Sequence, residues 1–171
     1  FANAGDEAML TAIIESLRQV EKNVELTVLS GNPEDTAAKH QVCSVYRFNP
    51  LGIIRAMKDS ELIISGGGSL LQDVTSKRSL LYYLSIIGLG KFFGKKVMLF
   101  AQGIGPIRAK WARKLTSLVC NEADLITVRD SESAAELIEM GVKPEKITVT
   151  ADSVLSLNPV TKECGQYLLQ E

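Results

Sequence analysis

The period of the apolar positions changes along the chain, and each change marks an element. Met9, Leu10, Ile13, Ile14, Leu17 and Val20 recur at the three-and-four spacing of one helical face. Asn3, Gly5 and Asp6 before them are turn and N-cap residue types, so a helix is predicted to open within the first few residues. The strand that would feed this helix is expected to be missing. Residues 24–29 predict a short strand followed by a Gly-Asn-Pro turn at 31–33, and 41–46 predict a second strand. Pro50 opens a helix carrying Leu51, Ile53, Ile54 and Met57. Residues 61–65 predict a third strand that runs into Gly66, Gly67 and Gly68. A long apolar helix is expected over 78–93, and the next strand over 96–101.

Pro106 suits the first position of the following helix. That helix would bury Trp111, Leu115, Leu118 and Val119 and hold Arg108, Lys110, Arg113 and Lys114 largely on its other face. Residues 125–128 form a strand, Asp130 caps a helix ending at Gly141, and 147–150 form one more strand. Unbroken apolar strands separated by helices predict an α/β fold, a Rossmann-like parallel sheet covered by helices on both faces. The rhythm is lost after Pro159. The expected division is a domain over 1–158 and, over 159–171, a linker or the start of a second half.

Composition narrows this picture only slightly. A chain of 171 residues with 46% apolar and 23% charged residues suits one globular domain and excludes a disordered chain. A net charge of −1 gives no global drive towards nucleic acid, and no nucleic-acid partner is expected. The apolar stretch at 79–90 is short of the ~20 residues that span a bilayer. Lys77, Arg78, Lys91, Lys95 and Lys96 flank it, which leaves shallow contact with an anionic membrane surface open beside the plainer reading of a buried helix. Cys43, Cys120 and Cys164 are an odd number without metal spacing. They read as reduced thiols of a cytoplasmic protein, two of them buried. His40, the one histidine, has no metal partner in the sequence and receives no role.

Ligands of open parallel sheets bind beyond the carboxyl ends of the strands. Four segments fall there. In Asn3-Ala-Gly-Asp-Glu7, Asp6 and Glu7 suit either a helix cap and first turn or a general base. Adjacent helical residues diverge by about 100°, so the two are not expected to face one atom. Three glycines at 66–68, followed by Ser69, Gln72 and Asp73, suit either a tight turn or a backbone nest for a phosphate or sugar. Gln102-Gly103-Ile104-Gly105-Pro106 reads as an anion-binding turn with Arg108 nearby, and it is neither a dinucleotide nor a Walker fingerprint. Arg129 and Asp152 follow strands. Arg129 suits a carboxylate or phosphate partner, and Asp130 reads as a helix cap.

Taken together, Asn-x-Gly-Asp-Glu-Ala at 3–8, Gly-Gly-Gly-Ser-Leu-Leu-Gln-Asp at 66–73, Gln-Gly-Ile-Gly-Pro at 102–106, Val-Arg-Asp at 128–130 and Thr-Ala-Asp at 150–152 closely resemble the polysaccharide pyruvyl transferases, particularly the bacterial cell-wall type. The resemblance covers nearly the whole chain. It implies one half of a two-domain enzyme of the GT-B kind, transferring the carbon skeleton of phosphoenolpyruvate onto two sugar hydroxyls as a cyclic ketal. It further implies a lipid-linked acceptor containing N-acetylmannosamine, a precursor of a secondary cell-wall polymer, handled in the cytoplasm at the inner face of the membrane. No cofactor and no metal are implied; phosphoenolpyruvate is a co-substrate.

In this resemblance Asp6 or Glu7 is the acceptor-side base, with Asn3, Gln72 and Asp73 orienting the sugar. Gly66, Gly67, Gly68 and Ser69 let it approach the backbone, and Gln102, Gly103, Arg129 and Asp152 complete the binding set. The family's donor-binding Arg, Lys and His residues belong to a C-terminal half beyond these 171 residues, so this chain alone is expected to be inactive or nearly so. Two other readings stay open: a nucleotide-sugar glycosyltransferase of the same architecture, and a non-catalytic Rossmann-like binding module.

Overall fold

The computed structural model describes residues 4–74 and 76–157. In chain order these form α1 (Ala4–Val20), β1 (Thr27–Ser30), α2 (Pro33–His40), β2 (Cys43–Tyr46), α3 (Pro50–Asp59), β3 (Leu62–Gly66) and α4 (Lys77–Phe92). There follow β4 (Lys96–Gln102), α5 (Lys110–Glu122), β5 (Leu125–Val128), α6 (Ser131–Glu139) and β6 (Ile147–Val149). Short 3-10 turns occupy Pro144–Lys146 and Ser153–Ser156. Every strand pair is parallel. β1 and β2 form one small sheet, and β3-β4-β5-β6 form a second, in that order. The expected α/β class is what the chain adopts. The expected linker after Pro159, and Cys164 with it, lie outside the described residues.

Alternate strand positions show that helices cover both faces. A Cβ on Gly90 of α4 would lie 2.8 Å from Ile63 and 3.0 Å from Val97, so these two side chains face α4. On the opposite face, a Cβ on Gly66 would meet Ile13 of α1 at 2.9 Å and Ile64 at 3.4 Å. One contiguous buried cluster runs from Leu71 to Val142 and includes Leu80, Leu84 and Ile87 of α4 with Leu99 and Ile126 of the sheet. Buried apolar residues outside it are few in the N-terminal part: Ala12, Ile14, Ile53 and Met57. Among the described residues no helix is long and apolar enough to cross a membrane.

The sequence pattern missed one helix, and several expectations need correction. Helix α2 was hidden because Pro33–His40 contributes mostly polar residues and buries little beyond Thr36. Helix α5 begins at Lys110, not at Pro106. It buries Ala112, Thr116 and Cys120, while Trp111 is 48% exposed and Leu118 58% exposed. These small side chains, four apart on one face, let α5 sit close to its neighbours. Val20 is likewise at the surface. Of the thiols, Cys120 is buried and its pKa is pushed up to about 12 by desolvation. Two of the three thiols were expected to be buried; Cys43 is exposed, and Cys164 lies outside the described residues.

One carboxylate fastens the N-terminal end of the larger sheet. Asp124 accepts from Lys91 Nζ at 2.7 Å, Lys96 Nζ at 3.2 Å and the backbone N–H of Val97 at 2.9 Å. The Lys91 hydrogen bond, then that of Val97, holds its carboxyl well below the ordinary carboxylate range. A depressed folded pKa stabilises the fold fully above the unfolded value of ~3.9, and that contribution is lost as pH falls through the folded value. Asp124→Asn is therefore expected to lower the melting temperature at pH 7 by the equivalent of about 1–3 kcal/mol. It should also flatten the acid limb of a melting-temperature series taken below pH 4.

Candidate active site

The carboxyl ends of β3, β4 and β5 are joined by their own loops. After β3 the chain turns through Gly67 at φ 73° and Gly68 at φ 63°, both in the left-handed region. Met9 of α1 packs on this turn, within 3.2 Å of a Cβ on Gly67 and 3.3 Å of one on Gly68. The three glycines thus have a local cause, two by conformation and Gly66 by the close approach of Ile13. The turn continues beside the loop that leaves β4. Gly103 N–H donates to Gly68 O at 3.0 Å, Gly105 N–H donates to Leu71 O at 3.1 Å, and Leu71 bridges Ile104 in parallel.

Arg129, at the end of β5, ties these loops together. Its Nη2 donates to Ser69 Oγ at 3.1 Å, its Nε to Asp130 at 3.3 Å and its Nη1 to Asp152 at 3.5 Å. The guanidinium also lies flat on Gly103, where a Cβ would come within 2.7 Å of Cζ and Nε. Two carboxylates balance its charge, so the group acts as a cross-link between four strand ends more than as a free anion receptor. Asp130 caps α6 through Ser133 N–H at 2.7 Å, and hydrogen bonds from Ser133 hold its carboxyl below the usual range. Asp152 caps the Ser153–Ser156 turn through Val154 N–H at 3.1 Å, and that turn packs against α1.

Some expected site residues serve the loops themselves. Gln102 is fully buried, with Ser65 Oγ 3.5 Å from its Oε1 and no partner on its Nε2, so it lies under the loops and not in contact with a ligand. The residue before it, Ala101, holds φ 47° at a register shift between β4 and β5. Its N–H donates to Thr127 Oγ1 at 2.7 Å. Such strain persists only where the surroundings over-determine it. Gln72 packs over Gly105, and Asp73 turns away to accept the N–H groups of Arg108 and Ala109 at 2.9–3.0 Å. Those bonds lower its pKa.

In the turn expected to bind an external anion, the N–H groups of Gly103, Ile104 and Gly105 are already taken by Gly68 O, Ser133 Oγ and Leu71 O, and Asp73 takes those of Arg108 and Ala109 just before α5. Asp73→Ala is expected to cost about 0.5–2 kcal/mol, read as a lower melting temperature at neutral pH.

Asp6 and Glu7 diverge as helix geometry requires. Glu7 Oε2 lies 3.3 Å from Nε2 of His40, whose side chain is only 9% exposed, so it is directed to α2. Asp6 is exposed in the first turn of α1. His40 was invisible as a partner because 33 residues separate it from Glu7. Ser133 was equally invisible, although its Oγ accepts Ile104 N–H at 2.9 Å and so steadies the loop after β4. Asn3 lies outside the described residues. Among those described, no group of three or more His, Cys, Asp or Glu is placed to hold a metal ion.

Comparison with known proteins gives two findings. A solved structure, the Anabaena Alr3699/HepE protein in complex with UDP and glucose, matches 85% of this chain at 12% identity with a TM-score of 0.56. The match covers 40% of that chain, so this sequence spans less than half the length of its structural relative, and the likeness speaks to the fold. A search of curated proteins returned no match. The family profile named polysaccharide pyruvyl transferase matches residues 3–163, which contain all five motif segments and every loop described above. The chain belongs to the polysaccharide pyruvyl transferase family.

Proposed function

We propose that these residues form the acceptor-side half of a GT-B-like enzyme that moves pyruvate from phosphoenolpyruvate onto two hydroxyls of a sugar. The acceptor proposed is an N-acetylmannosamine unit of a lipid-linked cell-wall polymer precursor, at the inner face of the membrane. The observation that carries this reading is the meeting of the family's loops at the carboxyl ends of one parallel sheet, with Arg129 binding them.

Asp6 is the proposed base. It is exposed and has no hydrogen-bond partner on its side chain among the described residues, whereas Glu7 is held towards His40. In the proposed reaction the methylene carbon of phosphoenolpyruvate gains a proton, and the first sugar hydroxyl adds to the adjacent carbon. Phosphate leaves, and the second hydroxyl closes the ketal. Of the two protons lost by the hydroxyls, one ends on the new methyl group and the other on phosphate. Asp6 takes the proton of an attacking hydroxyl.

The test is a pyruvylation assay of the full-length parent with phosphoenolpyruvate and a lipid-diphosphate disaccharide containing N-acetylmannosamine. Phosphate release coupled to a ketal product is the expected result. Turnover of a nucleotide sugar without phosphoenolpyruvate would keep the fold and overturn the donor and mechanism.

A further inference from the structure

Away from the loops of the site, α3 and α4 leave an open groove of about 290 Å³ beside the carboxyl end of β2. Its walls are Phe48, Pro50, Ile53, Ile54, Ile86 and Leu89. Phe48 is 58% exposed and Leu89 is also at the surface, so the groove opens to solvent along an apolar rim. The polar groups near it are few. The hydroxyl of Tyr82 is already committed to Arg47 O at 2.9 Å, and Ser85 Oγ donates to Tyr82 O at 2.7 Å. A polyhydroxylated ligand placed here would lose its hydrogen bonds to water and regain almost none, whereas a hydrocarbon loses nothing.

The mouth of the groove is cationic. Arg47 lies 5.0 Å from the centroid of Phe48 and makes no ion pair among the described residues. A guanidinium fixed on an aromatic ring and free of carboxylates is suited to a phosphate. The aromatic series Tyr46, Phe48, Tyr82, Tyr83, with successive centroids 5.3–5.7 Å apart, continues from this mouth onto α4.

We infer that the groove between α3 and α4 binds the hydrocarbon chain of an amphiphile whose phosphate is held by Arg47. Assigning that amphiphile as the lipid portion of the sugar acceptor rests on the proposed function; binding of an alkyl phosphate does not.

The experiment is an isothermal titration of the 171-residue chain with dodecyl phosphate below its micellar concentration. Dodecyl maltoside and inorganic phosphate are run in parallel. Dodecyl phosphate is expected to saturate one site, dodecyl maltoside to bind more weakly, and inorganic phosphate alone not to bind measurably. Arg47→Ala should weaken dodecyl phosphate roughly tenfold, the scale of one charged hydrogen bond, and leave dodecyl maltoside unchanged. Leu89→Glu, at an exposed position, should abolish both, with an unchanged melting temperature showing that the fold is intact.

Unsaturable binding, or affinities indifferent to both substitutions, would overturn the inference. So would association with phosphatidylglycerol vesicles that Leu89→Glu leaves untouched, since that would mark a general surface attraction. Failure of the pyruvylation assay with saturable dodecyl phosphate binding would remove the enzymatic reading and leave the groove standing.

Discussion

Asp6→Ala in the full-length parent is expected to lower ketal formation by about 10²–10⁴-fold, the range associated with a positioned acid or base. The neighbouring Glu7→Ala should act differently. Glu7 is joined to His40 across α1 and α2, so its loss should appear first in the melting temperature and only modestly in turnover. The decisive comparison is the pH profile of kcat/KM. Removing a base takes away an ionisation from the acid limb, whereas loosening the packing of α1 and α2 leaves the limb in place and lowers the whole curve. Equal losses for the two substitutions, with unchanged profiles, would remove Asp6 from the role proposed for it.

Gly103→Val should be nearly as damaging, by a different route. Even a Cβ there would come within 2.7 Å of the Arg129 guanidinium, so the arginine must leave the plane in which it meets Ser69, Asp130 and Asp152. Displacements of about 1 Å in a positioned group can cost around 10²-fold in rate, and a loss of that order is expected in kcat. Arg129→Ala should reproduce it, and Arg129→Lys should recover little, because a single ammonium cannot reach three separate oxygens in a planar fan. If Gly103→Val and Arg129→Ala each leave kcat unchanged, the cross-link has no part in positioning the loops.

The sequence carried the architecture well where apolar periodicity was strong. Helix α4, the strands of the larger sheet and the Asp130 cap fall where the pattern predicts them. It failed where side chains answer to distant partners. Pro106 had the right chemistry to open a helix, yet Asp73, 35 residues earlier, binds the N–H of Arg108, and α5 starts later. Trp111 looked like a core residue because it is large and apolar, but the buried face of α5 is built from alanine, threonine and cysteine. The divergence of Asp6 and Glu7 followed from helix geometry, while the direction of Glu7 depended on His40. Gln102 stood in a motif, and its complete burial beside Ser65 was not legible there.

The uneven distribution of the core has a thermodynamic consequence. The continuous buried cluster begins at Leu71, whereas β1, α2 and β2 rest on a few separate contacts and a two-stranded sheet. Regions of that kind open at a lower free energy than the rest of a domain. Amide protons of β1 and β2 are therefore expected to exchange with deuterium well before those of β4 and β5, in a first cooperative unit. Helix α1 is shared between the two, bonded to the end of α2 through Arg18 and Glu7 and packed on the Ser153–Ser156 turn.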